Sequence, residues 1–445
     1  MQKRGKICVI GLGYIGLPTA TMFAVNGFEV VGVDVQEKVV AIINNGGIHI
    51  EEPGLAEMVQ GAVMEQNLKA STTPEEADTF IIAVPTPLTE VKGADLSYVE
   101  AAARNILPYL KKGDLVIVES TISPRTTTDV VAPILNKGNL ELGEELYLAH
   151  CPERVLPGKI INELTNNNRI IGGINEKSAL KARKLYSSFV QGEMYLTDAT
   201  TAEMVKLMEN TYRDVNIALA NELALIAEEI EIDVWEAVEL ANKHPRVNVH
   251  LPGPGVGGHC LAVDPWFIVE SSPELAKLIT LSRNINDSMP EYVVEKVKSL
   301  TRNIEEPKIA ICGITYKGNV DDLRESPILD VIDNLFKDGF KLSIHDPHVE
   351  DSIYNLVDLE SALAEADLIL LGADHNEFKD IDPELAAELM NTKKVFDTKN
   401  IIDHDLWQEK GFKTYKIGDF SNNDWQKKYG INEFNLQDES GVAEA

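Results

Sequence analysis

The sequence predicts an α/β protein: two Rossmann-like, doubly wound parallel-sheet domains joined by a central helical domain with a long helix. Three observations predict it. Residues 6–34 run as an apolar strand, the turn Gly11-Leu12-Gly13-Tyr14-Ile15-Gly16, a helix-compatible segment, and a second apolar strand ending in Asp34. Residues 200–230 read as helix, and no Gly or Pro appears until Pro245. Residues 308–313 restart the strand-then-glycine pattern after the linker Glu305-Glu306-Pro307. Domains are therefore expected over 1–198, 199–304 and 305–420, with a polar tail over 421–445.

Size and charge agree with this. A chain of 445 residues exceeds one ordinary core. Its 41 Lys and Arg face 71 Asp and Glu, a formal net charge of −30. That balance argues against nucleic-acid binding, which needs surplus cations, but allows an anionic small ligand in a local cationic pocket. Cys8, Cys151, Cys260 and Cys312 make no CxxC pair and fit neither a zinc site nor a disulfide scaffold. His259 and Cys260 with His250 offer one thiol and no fixed ligand set, so no metal is expected. Residues 7–28 are uncharged and follow Lys3, Arg4 and Lys6, as a signal peptide would. Gly11, Gly13, Gly16 and Pro18 suit a strand and turn better. No other stretch approaches a membrane span, so a cytoplasmic protein with no membrane partner is expected.

The elements follow in order. Strand, glycine turn, helix, strand and acid form a dinucleotide-binding unit: the glycines let the backbone approach a pyrophosphate at a helix N-terminus. Asp34 can accept hydrogen bonds from the adenosine ribose, which favours NAD over NADP. Residues 79–84, capped by Pro85-Thr86-Pro87, and residues 115–121 read as further strands. Thr86 and Thr121 fall at the carboxyl ends, where ligands of open α/β sheets bind; capping of the following helix is the other reading. Residues 150–159 make a proline-bounded loop carrying an acid and two bases, and residues 170–173 and 193–196 read as the last strands of the first domain. On the long helix, Lys206, Asn210, Arg213 and Ile217 share one face, a stripe facing either a ligand or solvent. Thr200 or Thr201 is the expected cap. The helix's wide apolar face suits a dimer core.

Residues 253–258 hold four glycines, and Cys260 and Asp264 follow. Such a loop can turn sharply and lie against a ligand. A thiolate there needs a positive or dipolar neighbourhood; a small buried hydrophobe is the bland reading of the same cysteine. In the last domain, strands are expected over 341–345, 367–372 and 394–397, which puts Lys317, Arg324 and Lys399 at the carboxyl edge of the second sheet.

Together these motifs resemble the UDP-sugar 6-dehydrogenase family from about residue 6 to 416. The resemblance rests on GxGxxG, the corner 84–87, Ser120-Thr121-Ile122-Ser123-Pro124, the Lys206/Asn210 helix, Gly257-Gly258-His259-Cys260 and the stretch 317–327. Residues 151–158 and 244–248 resemble the UDP-N-acetylmannosamine branch, feeding surface-polysaccharide or glycan synthesis; UDP-N-acetylglucosamine and UDP-glucose stay as alternative substrates. The resemblance implies a four-electron oxidation of the sugar 6-hydroxymethyl with two NAD, through a thiohemiacetal and a thioester on Cys260. It implies that Lys206 and Asn210 stabilise oxyanions, that Asp264 orients water or balances Lys206, and that Glu153 helps position or deprotonate water. Arg154, Val155, Arg213, His244, Arg246, Gly257, Tyr316, Lys317 and Lys399 would hold the UDP-sugar, with Lys206 and Asn210. Arg246 would reach across a homodimer. Gly11, Gly13, Tyr14, Ile15, Gly16, Asp34, Thr86 and Thr121 would contact NAD, joined by Arg324.

Overall fold

The computed structural model describes residues 4–156 and 158–419; Pro157 and the expected tail over 421–445 lie outside the described residues. The chain divides into two compact units. One takes in the chain up to Arg213 together with Cys260–Thr280, and the other takes in Asp214–His259 and the chain from Leu281 onward.

The first unit is built on eight strands: β1 (Lys6–Ile10), β2 (Glu29–Val33), β3 (Leu68–Ser71), β4 (Thr79–Ile82), β5 (Leu115–Val118), β6 (Tyr147–His150), β7 (Arg169–Gly173) and β8 (Met194–Asp198). They run in the order β3-β2-β1-β4-β5-β6-β7-β8. After its first residue, Lys6, β1 is apolar and buried because both faces of the sheet are covered. Ile7 and Val9 enter one cluster with Leu17, Phe23 and Tyr186. Cys8 and Ile10 enter another with Phe80, Val99 and Ile106. The strand order reverses between β1 and β4, which leaves a crevice at their carboxyl ends. The sheet departs from the parallel expectation at β7, which runs antiparallel to β6. The connector between them, with the short helix Ile160–Asn166, starts and finishes at the same edge of the sheet. Its loop is held from below by the buried Glu52, whose carboxylate accepts from Gly158 N and Ile160 N, both at 2.7 Å.

The helix Ala199–Glu229 leaves β8 directly. Its start is capped by Asp198, not by Thr200 or Thr201: Asp198 accepts from Thr201 N at 2.9 Å and from Thr201 Oγ1 at 2.6 Å. Threonine is outcompeted because the preceding residue already supplies a charged acceptor for the open N–H groups.

The second unit carries five parallel strands, β9 (Lys308–Cys312), β10 (Lys341–His345), β11 (Leu368–Leu371), β12 (Lys394–Asp397) and β13 (Lys413–Lys416), in the order β10-β9-β11-β12-β13. Its switch point lies between β9 and β11. Ile309 and Ile311 pack with Ala224, Trp235, Met289 and Val293; Ala310 and Cys312 pack on the opposite face with Leu363, Phe378 and Trp407. Among the described residues, no helix is long and apolar enough to cross a membrane.

Candidate active site

The glycine corner after β1 is forced into shape by backbone contacts. A Cβ on Gly16 would lie 1.8 Å from the Gly11 carbonyl oxygen, so no other residue fits there. Nothing lies within 4 Å of a Cβ built on Gly13, which leaves its backbone open to a ligand. Helix Gly16–Val25 starts here with no side-chain cap and no acid in its first turn, so no side-chain charge offsets the positive end of its dipole, while Leu17 N donates to the Gly13 carbonyl at 3.1 Å. Asp34 is half-buried; its Oδ2 accepts from Leu12 N at 3.1 Å and its Oδ1 from Gln36 N at 2.9 Å, leaving a second lone pair on each oxygen. Tyr14 is exposed and Ile15 half-buried. Thr86 and Thr121 are brought together across the β4 and β5 ends: the buried Thr86 Oγ1 donates to the Thr121 carbonyl at 2.6 Å.

The same unit assembles a second cluster. Cys260 is exposed, and its carbonyl accepts from Asp264 N at 2.8 Å, so the thiol stands one turn before helix Asp264–Ser271. Asp264 is 2% exposed and accepts from Asn210 Nδ2 at 2.6 Å. Burial pushes the Asp264 pKa up to about 6, opposed by the charge of the half-buried Lys206 and by the Asn210 hydrogen bond. Lys206 and Asn210, one turn apart on the long helix, therefore form one polar group with Asp264.

The loop after β6 holds Glu153 nine-tenths buried. Its Oε1 accepts from Arg154 N at 2.6 Å and its Oε2 lies 3.2 Å from Arg169 Nη2. Arg154 itself turns elsewhere: its guanidinium donates to Glu209 at 2.5 Å and to the Asn168 carbonyl. Val155 packs against the apolar core, and Arg213 is exposed on the long helix.

In the second unit the glycine loop lies on the segment after β9. Gly258 has φ +82°, and a Cβ there would come within 2.8 Å of the Tyr316 ring. Gly258 N donates to the Arg324 carbonyl at 3.0 Å. The loop's other end hangs from a buried chain of side chains. Gly253 N donates to Asn221 Oδ1 at 2.9 Å, Asn221 Nδ2 to Asn286 Oδ1 at 2.9 Å, and Asn286 Nδ2 to Asp214 Oδ1 at 2.8 Å. Arg283, 2% exposed, donates to the same Asp214 oxygen at 2.5 Å. Lys399 Nζ lies 3.6 Å from where a Gly253 Cβ would stand, and burial lowers its pKa. Lys317 is exposed on a loop anchored across the switch point: Gly318 N donates to Asp374 Oδ1 and Asn319 N to His375 Nδ1, both at 2.8 Å. His348, His375 and Glu377 converge nearby, but both ring nitrogens of His375 are engaged, Nε2 lying 3.1 Å from Asp346 and from Thr315. This cluster is an anchor for the loop. The Arg324 guanidinium grips Asp322 at 2.7 and 2.9 Å, and His244 and Arg246 are exposed.

Family models cover most of the chain. Residues 5–190 match the NAD binding domain of the UDP-glucose/GDP-mannose dehydrogenase family, residues 200–288 its central domain, and residues 310–404 its UDP binding domain. The chain belongs to this family. A UDP-N-acetyl-D-mannosamine dehydrogenase of Methanocaldococcus jannaschii is 54% identical over 432 residues, 95% of this chain and 99% of its own. An NDP-N-acetyl-D-galactosaminuronic acid dehydrogenase of Ralstonia nicotianae is 48% identical over 409 residues, 89% of this chain and 96% of its own. The solved UDP-N-acetyl-mannosamine dehydrogenase of S. aureus superposes with a TM-score of 0.86 at 49% identity, covering 94% of this chain and 99% of that one.

As a member of this dehydrogenase family the chain binds NAD, and its glycine corner fits the cofactor: the backbone at Gly13 is open and the helix N-terminus uncapped. Sequence reading missed three residues of this unit. His49 lies beside Asp34 and Leu12; burial lowers its pKa, and its Nδ1 has no hydrogen-bond partner among the described residues. Nothing in the sequence around it signals this. Glu119 and Arg169 are buried ions, and each had a signal: an acid directly after the apolar run 115–118, and a cation opening an apolar strand. A cavity of about 670 Å³ between Arg4, Phe28, Thr79, Leu115 and Lys184 lies at the amino edge of the first sheet, opposite the glycine corner.

Proposed function

We propose that this dehydrogenase oxidises the 6-hydroxymethyl group of UDP-N-acetyl-D-mannosamine to a carboxylate, using Cys260 as a covalent nucleophile. The observation that carries this is the cluster of buried Asp264 and Asn210 with half-buried Lys206, in which Asp264 follows the exposed Cys260 by one turn. The sugar is the one named for the Methanocaldococcus relative. Gly11, Gly13, Tyr14, Ile15, Gly16, Asp34, Thr86 and Thr121 hold NAD, with Arg324 from the second unit. Bound NAD supplies the hydride acceptor for both oxidations, of the alcohol to the aldehyde and of the sulfur adduct to the thioester.

The protein's own residues do the rest. The Cys260 thiolate adds to the C6 aldehyde, forming a C–S bond and an oxyanion. The Lys206 ammonium and the Asn210 amide stabilise that oxyanion. Glu153 takes a proton from water as it attacks the thioester carbonyl, and Asp264 balances Lys206; C–S cleavage then returns the thiolate and releases the uronate. Arg213, His244, Arg246, Gly257, Tyr316, Lys317 and Lys399 bind the UDP-sugar. Four cationic side chains among them suit a diphosphate, within a protein of net charge −30.

The proposal extends to organisation. Domains over 1–198, 199–304 and 305–420 accord with the three family matches. A homodimer is supported by Met208, Tyr212, Leu219 and Ile226, exposed by 55, 63, 46 and 44% on one face of the long helix. Four cysteines kept as thiols suit a cytoplasmic enzyme. The test is stoichiometric. Purified protein is given NAD with UDP-N-acetylmannosamine, UDP-N-acetylglucosamine, UDP-N-acetylgalactosamine or UDP-glucose, and NADH per sugar is counted. Two NADH with the first sugar alone is expected; equal turnover of another sugar, or one NADH per sugar, overturns the reading.

A further inference from the structure

Behind the Glu153 loop lies a buried ionic cluster that the reaction as described does not use. Arg169, at the start of β7, is 4% exposed, and Glu119, at the end of β5, is 2% exposed. The Arg169 guanidinium lies 3.2 Å from Glu153 Oε2 through Nη2 and 4.0 Å from Glu119 Oε1 through Nη1. Nη1 also donates to Cys151 Sγ at 3.8 Å, and the guanidinium carbon sits 4.7 Å from the centre of the Tyr186 ring. Glu119 is held in turn: Tyr186 Oη donates to its Oε1 at 2.5 Å and Thr19 Oγ1 to its Oε2 at 3.2 Å. The charged groups facing Glu119 are thus Arg169 and Glu153, and its polar neighbours are Tyr186, Thr19 and the Cys151 thiol.

We infer that Arg169 is a positioning residue for thioester hydrolysis, fixing the Glu153 carboxylate from behind, and that Glu119 governs how much of the Arg169 charge Glu153 receives. This rests on the reading of Glu153 as the group that acts on water. Structural stability is a poor explanation for the cluster. Two carboxylates around one guanidinium leave an excess buried charge whenever both are ionised, and a well-packed apolar core would avoid that penalty. Glu153 Oε2 also accepts no hydrogen bond among the described residues despite being buried. Oε2 meets Arg169 Nη2 as an ion pair at 3.2 Å and not as an aligned hydrogen bond, so it keeps a lone pair to which a water can donate. Arg169 thus neutralises the Glu153 charge while leaving an oxygen lone pair open to that water.

The arrangement makes a pH-dependent device. Burial pushes the Glu119 pKa up to about 7, with Arg169 and the Tyr186 and Thr19 hydrogen bonds opposing. Below that value Glu119 is neutral and Glu153 has the guanidinium to itself. Above it the two carboxylates share one cation, and Glu153 is held less firmly.

The test follows the covalent intermediate in the full-length protein. Arg169→Lys, Glu119→Gln and Glu153→Gln are mixed with NAD and sugar, acid-quenched, and weighed intact. Arg169→Lys should accumulate sugar-acyl enzyme on Cys260, with kcat down at least tenfold and KM for sugar and NAD within about twofold of the parent. Glu119→Gln removes a buried carboxyl without leaving a bare cation, so it should fold. It should abolish the change in hydrolysis rate between pH 6 and 8.5. Acyl-enzyme in Glu153→Gln but none in Arg169→Lys, or an unchanged pH profile in Glu119→Gln, overturns this inference alone. Hydrolysis at the parent rate in Glu153→Gln overturns the reading of Glu153 beneath it.

Discussion

Replacing Asp264 with Asn tests whether the site holds a charge that the fold resists. The carboxyl is 2% exposed, and its pKa is raised from an ordinary 3.8 to about 6. The difference, about two pKa units at about 1.4 kcal/mol each, corresponds to about 3 kcal/mol. A raised carboxyl holds its proton more tightly in the folded protein than in the unfolded chain. Its contribution to stability is therefore whole below pH 3.8 and is lost as pH rises through about 6. Asparagine has nearly the same shape and never ionises. Its new contact with Asn210 adds an offset, but that offset does not depend on pH. Between pH 4 and pH 7.5, Asp264→Asn should gain up to about 3 kcal/mol relative to the parent, while kcat falls about a hundredfold because Lys206 loses its counter-charge. Thermal midpoints of both proteins from pH 4 to 8 measure the first effect and steady-state rates the second. The two melting curves should diverge up to about pH 6.5 and run parallel above it. A midpoint difference that is the same at pH 4 and pH 8 would refute the reasoning, because it would mean that the buried carboxyl ionises without penalty.

Other outcomes follow from the same geometry. Cys260→Ala should still bind UDP-sugar by calorimetry yet form no uronate; NADH reaching two per sugar would defeat the thioester role. Gly16→Ala places a methyl 1.8 Å from the Gly11 carbonyl oxygen, a backbone contact that cannot yield cheaply. It should cost about 3 kcal/mol or more of stability and abolish NAD binding, read by melting and by nucleotide titration. Tyr212→Glu with Ile226→Glu puts charge on the exposed helix stripe and should convert a dimer to a monomer in sedimentation, with melting of the monomer otherwise close to the parent.

Much of this was legible in the sequence because the chemistry sits where backbone geometry restricts residue type. The turn 11–16 must be glycine at Gly16 for steric reasons, and the apolar strand before it follows from covered sheet faces. The long helix showed its polar stripe by spacing, and Lys206 and Asn210 do share a site with Asp264. Three strands were not legible. β3 (Leu-Lys-Ala-Ser) and β13 (Lys-Thr-Tyr-Lys) are four-residue edge strands, the first alternating apolar and polar residues and the second mostly polar, and edges carry little apolar signal. β6 is four residues long and ends in a histidine that burial drives to a pKa of about 3. The reversal at β7 depends on where the intervening helix lies, which no local pattern records. Arg154 reads as a base in a loop, but Glu209, in the third turn of the long helix and remote in sequence, takes it.

The buried ions teach the complementary lesson. Hydropathy reading treats Glu119 and Arg169 as interruptions of strands, because each alone would be expelled from a core. Together with Glu153, Tyr186 and Cys151 they are tolerated, since each charge meets an opposite charge or a donor that is fixed by a different strand or helix. The glycine loop shows the same dependence on distant partners. Asn221 and Asn286 are amides on two helices with no motif around them, yet they hold the Gly253 N–H, while one residue past His259 the chain answers to the other core. Sequence motifs thus mark the atoms that would meet ligand. What keeps those atoms in place is a set of buried polar contacts between segments remote in sequence, such as Asn221 to Asn286, 65 residues apart, and Asn286 to Asp214, 72 residues apart. A substitution in that supporting set should therefore alter the rate of one chemical step while leaving ligand affinity intact, and this separates it from a substitution in the motifs themselves.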